Sequence, residues 1–102
     1  YLLVYFDMES AVTFAHIHLG QAGTAGGVAA FLCGGGGKPA CPAPGVVTFT
    51  GTLTAADVST IATQGLTAGE FSEFVRAIQG GNAYVNVHTQ TFGGGEIRGQ
   101  LK

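Results

Sequence analysis

Charge is what this chain has least of. Charged residues make up 10% of it, against roughly 25% in an ordinary soluble domain. They are also clustered, with none in residues 10–37, 39–56 or 77–95. A monomer normally carries more surface charge than this. Buried subunit contacts explain the deficit, and so does an extracellular surface rich in Gly and Thr; both readings stay open. The net charge is −2 and no basic cluster exists, which argues against nucleic acid as a partner. Apolar runs are short too: none approaches the ~20 residues of a transmembrane helix. No signal peptide precedes the first strand, and residue 1 is Tyr rather than Met; the expectation is a processed product or a fragment. Cysteine is scarce: Cys33 and Cys41 are the two in the chain, and Gly34 to Gly37, Lys38, Pro39 and Ala40 lie between them. Two free thiols are one reading. A disulfide is the expectation, because a glycine tract needs a clamp to be ordered. Such a bond removes ~2–3 kcal/mol of loop entropy from the unfolded chain. It also implies an extracytoplasmic compartment: secreted, cell-surface or periplasmic.

What remains is apolar and glycine-rich, 46% hydrophobic with 18 Gly in 102 residues. That length suits a single domain, residues 1–102, with one core. Residues 1–8 read as a strand with Tyr1, Leu3 and Tyr5 on one face and Leu2, Val4, Phe6 and Met8 on the other. Both faces are apolar, so cover on both sides is expected. Residues 14–20 alternate, with Ala15, Ile17 and Leu19 on one face and Phe14, His16 and His18 on the other. Residues 28–32 make a short apolar strand. Residues 46–53 place Val47, Phe49 and Leu53 inward and Val46, Thr48, Thr50 and Thr52 outward. Thr54 and Asp57 have the spacing of a helix start. Phe71, Phe74, Val75 and Ile78 fall at helical spacing, and Gly80 and Gly81 end that helix.

The last two strands are the most legible. Residues 83–91 put Val85, Val87 and Thr89 on the core face and Tyr84, Asn86 and His88 opposite. Residues 96–102 put Ile97, Gly99 and Leu101 on the core face and Glu96, Arg98, Gln100 and Lys102 opposite. Parity demands that even-numbered residues pair with even-numbered ones. A three-residue loop, Gly93 to Gly95, joining Phe92 to Glu96 satisfies this. His88 then faces Gln100 and lies diagonal to Arg98. Six strands and one or two short helices argue for a mainly β fold, an antiparallel β-sandwich or barrel.

The chemistry gathers on the non-core faces. The three histidines of the chain are His16, His18 and His88. If their strands are neighbours, they form one patch with Glu96 and Arg98. Three neutral imidazoles bind a borderline metal, copper or zinc most naturally. The blander reading is that they bond loop carbonyls and Glu96 and tie the loops down; on spacing alone it ranks higher. Nothing else carries chemistry. Neither cysteine has a nucleophile's neighbourhood, the glycine tracts lack the context of a phosphate loop, and Ser10, Ser59 and Ser72 sit in no elbow motif. Tyr84 is placed to cover the site or simply to pack across strands.

The runs Ala15-His16-Ile17-His18-Leu19-Gly20, residues 50–58, Asn82-Ala83-Tyr84-Val85-Asn86-Val87-His88-Thr89 and Gly94-Gly95-Glu96-Ile97-Arg98-Gly99-Gln100-Leu101 resemble the CHRD (chordin-type) domain family. They span most of the chain in the family's order. The resemblance implies a secreted or surface β-domain, often bacterial. Gly93 stands where the family commonly has a proline. CHRD domains also usually begin with strands before the one that Tyr1 opens. The expectation is that those strands were cut from this chain or that another molecule supplies them. An unpaired edge is a template for strand addition, so self-association through exposed strand edges is expected. The pattern is more distantly similar to copper/zinc superoxide dismutase. By that resemblance His16, His18 and His88 take copper-ligand positions and Arg98 the anion-guiding one, with Glu96 beside them. The fourth copper histidine and the full zinc set have no counterpart. The expectation is therefore a structural or self-associating module with a copper site, possession of enzymatic activity being the lesser alternative: a copper redox enzyme of dismutase type.

Overall fold

The computed structural model describes residues 1–43 and 45–102. Among the described residues the chain is mainly β, with six strands in two antiparallel sheets, one α-helix and two 3-10 turns. The strands are β1 (Leu2–Tyr5), β2 (Val12–Leu19), β3 (Val28–Cys33), β4 (Val47–Thr50), β5 (Ala83–Thr89) and β6 (Ile97–Gln100), and α1 is Phe71–Gln79. One sheet pairs β1 with β4; the other runs β3-β2-β5-β6. No helix among the described residues is long and apolar enough to cross a membrane.

One core draws on both sheets and on α1. Leu3, Tyr5 and Val47 come from the small sheet, Ala15, Ile17, Leu32 and Val87 from the large one, and Phe74 from the helix. The expected inward faces of β2 and α1 hold. Cys33 and Cys41 form a disulfide, with Cα atoms 4.9 Å apart. Lys38, inside that loop, pairs with Asp57 at 2.8 Å. Asp57 also accepts the Thr54 backbone N–H at 2.7 Å. The expected helix start is thus a single 3-10 turn, Ala55–Asp57, tied across to the cysteine loop.

Three expectations need correction. The first strand is covered on one face only: Leu3 and Tyr5 are buried, while Leu2, Val4 and Phe6 are 64%, 49% and 60% exposed. The reason is that β1 lies in a two-stranded sheet whose Leu2 and Val4 border an open groove rather than a packed layer. The strand is also short, because Asp7 turns the chain with a φ of 52°. The second correction concerns β6. Ile97, read as core, is 45% exposed, since the narrow sheet leaves an open groove lined by Leu2, Val4, Val85, Val87 and Ile97.

The third is the hairpin register. Tyr84 opposes Gln100 and Asn86 opposes Arg98, so Gln100 does not face His88. Parity is kept, but the connection covers residues 90–96 rather than three glycines. Side chains hold this longer loop. The Thr89 hydroxyl accepts the Phe92 N–H at 3.1 Å and donates to Glu96 Oε2 at 2.7 Å. Glu96 Oε1 accepts the Glu9 N–H at 2.9 Å.

Candidate metal centre

The pairing β2–β5 brings the histidines together. Phe14 opposes His88, His16 opposes Asn86 and His18 opposes Tyr84. Even-numbered side chains of both strands therefore share one face, as the alternation requires. That face is not solvent. His16, His18 and His88 are 8%, 8% and 9% exposed, because the loops before β3 and before β6 lie over them. One ring nitrogen from each histidine lies within 4.8 Å of the others. His16 Nδ1 and His88 Nε2 are 3.1 Å apart.

Hydrogen bonds to carbonyls settle two tautomers. His18 Nδ1 lies 2.9 Å from the Gly26 carbonyl, and His88 Nδ1 lies 3.0 Å from the Gly93 carbonyl. A carbonyl oxygen only accepts, so both Nδ1 atoms carry the proton and both Nε2 atoms present a lone pair. His18 Nε2 is buried with no hydrogen-bond partner among the described residues. An acceptor in that position normally costs free energy. Loop carbonyls that fix the far nitrogen are the usual support of a ligating imidazole.

Aromatic rings close the sides. Phe14 stacks on His16 at 5.6 Å and Phe31 meets its ring edge-on at 4.5 Å. Tyr84 stacks on His18, with centroids 4.9 Å apart and planes 7° from parallel. Burial, followed by the neighbouring imidazoles His88 and His18, lowers the His16 pKa to about 4. Burial also lowers that of His18, opposed in part by its bond to Gly26. His16 and His18 are thus neutral donors near pH 7.

Glu96 and Arg98 line a cleft that opens on His18 and His88, but neither bonds to a histidine. Both Glu96 oxygens are taken by Glu9 and Thr89. Arg98 donates to the carbonyls of Thr24 and Gln21 and rests 3.4 Å from the centre of the Tyr84 ring. The loop-tying role read for the histidines holds toward Gly26 and Gly93 and not toward Glu96. Sequence reasoning missed Phe31, Gly26 and Gly93. The only signal for Phe31 is the β2–β3 pairing, which sets it opposite His16.

The family model of the CHRD domain matches residues 1–101. No curated protein and no solved structure matches the chain.

Proposed function

The chain belongs to the CHRD domain family, and from that premise we propose that it is an extracytoplasmic structural module whose His16, His18 and His88 bind one copper ion. The observation that carries the metal reading is the buried, unpartnered Nε2 of His18, beside two further imidazole nitrogens. A metal ion would satisfy the orphaned lone pair of His18 Nε2 and replace the proton that His16 Nδ1 shares with His88 Nε2. Ligand nitrogens lie ~2.0–2.1 Å from such an ion, which suits ring atoms a few ångströms apart. The donors are three imidazoles, with no thiolate or carboxylate among them. Structural zinc sites use four protein ligands, although three histidines with an open position also hold zinc; copper is favoured here because it binds most tightly in the divalent series. Copper would supply one-electron chemistry when bound. The disulfide supports an oxidising compartment.

The test is metal analysis of the purified protein and of His88→Ala. Stoichiometric copper in the first and its loss in the second supports the reading. A folded protein that takes up no copper overturns it. Superoxide turnover by the loaded protein would move the assignment to the alternative, a redox enzyme of dismutase type.

A second reading, that copies self-associate through exposed strand edges, rests on the uncovered side of β1. There Leu2 and Val4 border the open groove beside Val85 and Ile97, and residues 1–6 carry no charged side chain. Uncharged, apolar edges are the kind that pair with another chain.

A further inference from the structure

Arg98 is a cation without a carboxylate partner. The salt bridges among the described residues are Lys38–Asp57 and Arg76–Glu73. Its two terminal nitrogens are spent on the carbonyls of Thr24 and Gln21, at 2.5 and 2.9 Å, which satisfy hydrogens but cancel no charge. The guanidinium is thereby held over Tyr84, 3.4 Å from the ring centre. Tyr84 is itself fixed. Its ring is nearly parallel to that of His18, and its hydroxyl accepts the Gly26 N–H at 3.1 Å. The Gly26 carbonyl in turn receives the His18 Nδ1–H. One loop residue thus locks both the imidazole and the ring stacked on it, and the arginine is pinned to that stack from β6.

Resting on the copper reading above, we propose that Tyr84 and Arg98 are positioning residues that hold His18 as a ligand and bias the bound ion toward its cuprous state. Two physical arguments meet here. A stacked ring of fixed plane restricts the rotation of the His18 imidazole, so its Nε2 lone pair keeps its aim. A nearby uncompensated positive charge repels the dication more than the monocation, by an amount that a partly dry site screens less than water does. The stacked cation adds to this through the ring it covers. This role differs from steering anions in that it acts through the fixed charge of Arg98, held in place by its two bonds to backbone carbonyls.

The experiment compares the copper-loaded native protein with Arg98→Met, Arg98→Gln, Arg98→Lys, Tyr84→Phe and Tyr84→Leu. The readouts are the Cu(II)/Cu(I) midpoint potential and the electron spin resonance of the cupric form. Removing the charge should change the ratio of cuprous to cupric affinity by about tenfold in favour of the cupric ion, a drop of about 59 mV for a one-electron couple. Arg98→Lys should restore most of it. Tyr84→Leu should alter the cupric spectrum, whereas Tyr84→Phe, which keeps the ring, should leave it close to native. Arg98→Gln reads the same quantity should Arg98→Met fail to fold. Copper bound with a cuprous-to-cupric affinity ratio that changes less than twofold, about 18 mV, in both charge-removing variants, or a spectrum indifferent to loss of the Tyr84 ring, overturns the proposal and leaves the metal site standing. Failure of the native protein to bind copper overturns both.

Discussion

His16 shows what one residue does when three imidazoles crowd a buried face. Its pKa is lowered from 6.5 to about 4, first by burial and then by His88 and His18. Between those two values the unfolded chain takes up a proton that the folded chain refuses. The unfolded state is thus favoured as pH falls, and the stability present above pH 6.5 is lost progressively down to about pH 4. One pKa unit corresponds to about 1.36 kcal/mol, so His16 alone removes on the order of 3 kcal/mol. The His18 shift, in the same direction, adds to it. Urea unfolding of the chelator-treated protein at pH 7, 5.5 and 4.5 checks this. The slope should be steep in the native chain and clearly flatter in His16→Leu. Equal slopes would mean that the rings are far more hydrated than their burial implies.

The elements show why the strands were legible and the site's frame was not. Alternation alone assigns Ile17 and Val87 to the core and His16 and His88 to the opposite face, because a strand has one period whatever its neighbours. Register is another matter. The β5–β6 pairing follows from bonds of Thr89 and Glu96 that reach Phe92 and Glu9, and no local pattern announces them. The carbonyls of Gly26 and Gly93 are invisible for a similar reason, since every residue has one. Gly26 does carry a signature once coordinates exist: a Cβ there would lie 1.4 Å from the Leu19 carbonyl oxygen. Gly26→Ala should therefore push the loop off β2, breaking the bonds to His18 and Tyr84 together. The expected loss is about 1–3 kcal/mol for the freed buried groups, with the slowly exchanging His18 Nδ1–H signal gone from the proton spectrum. A variant with native stability and that signal intact would show that the loop adapts without the glycine.

For the molecule as a whole, the low charge has a structural counterpart. The cysteine loop is one half of it. Its single cation, Lys38, is spent on Asp57 and the Thr52 carbonyl, and the disulfide does the remaining clamping. Replacing Cys33 and Cys41 by serine should lower stability by ~2–3 kcal/mol, read as a shift in denaturation midpoint. The other half is the bare side of β1. Leu2, Val4 and Phe6 are 64%, 49% and 60% exposed, and Ile97 across the groove is 45% exposed. Contiguous apolar surface of this kind marks an interaction site more often than idle surface, and an uncharged edge strand lacks the lysines that normally block pairing. Val4→Lys supplies that missing charge on a side chain facing outward, where substitutions usually change stability by no more than about 0.5 kcal/mol. Sedimentation velocity of the native chain should show mass rising with concentration, and the variant should stay monomeric with an unchanged melting temperature. A native chain that remains monomeric across the same range removes the case for self-association.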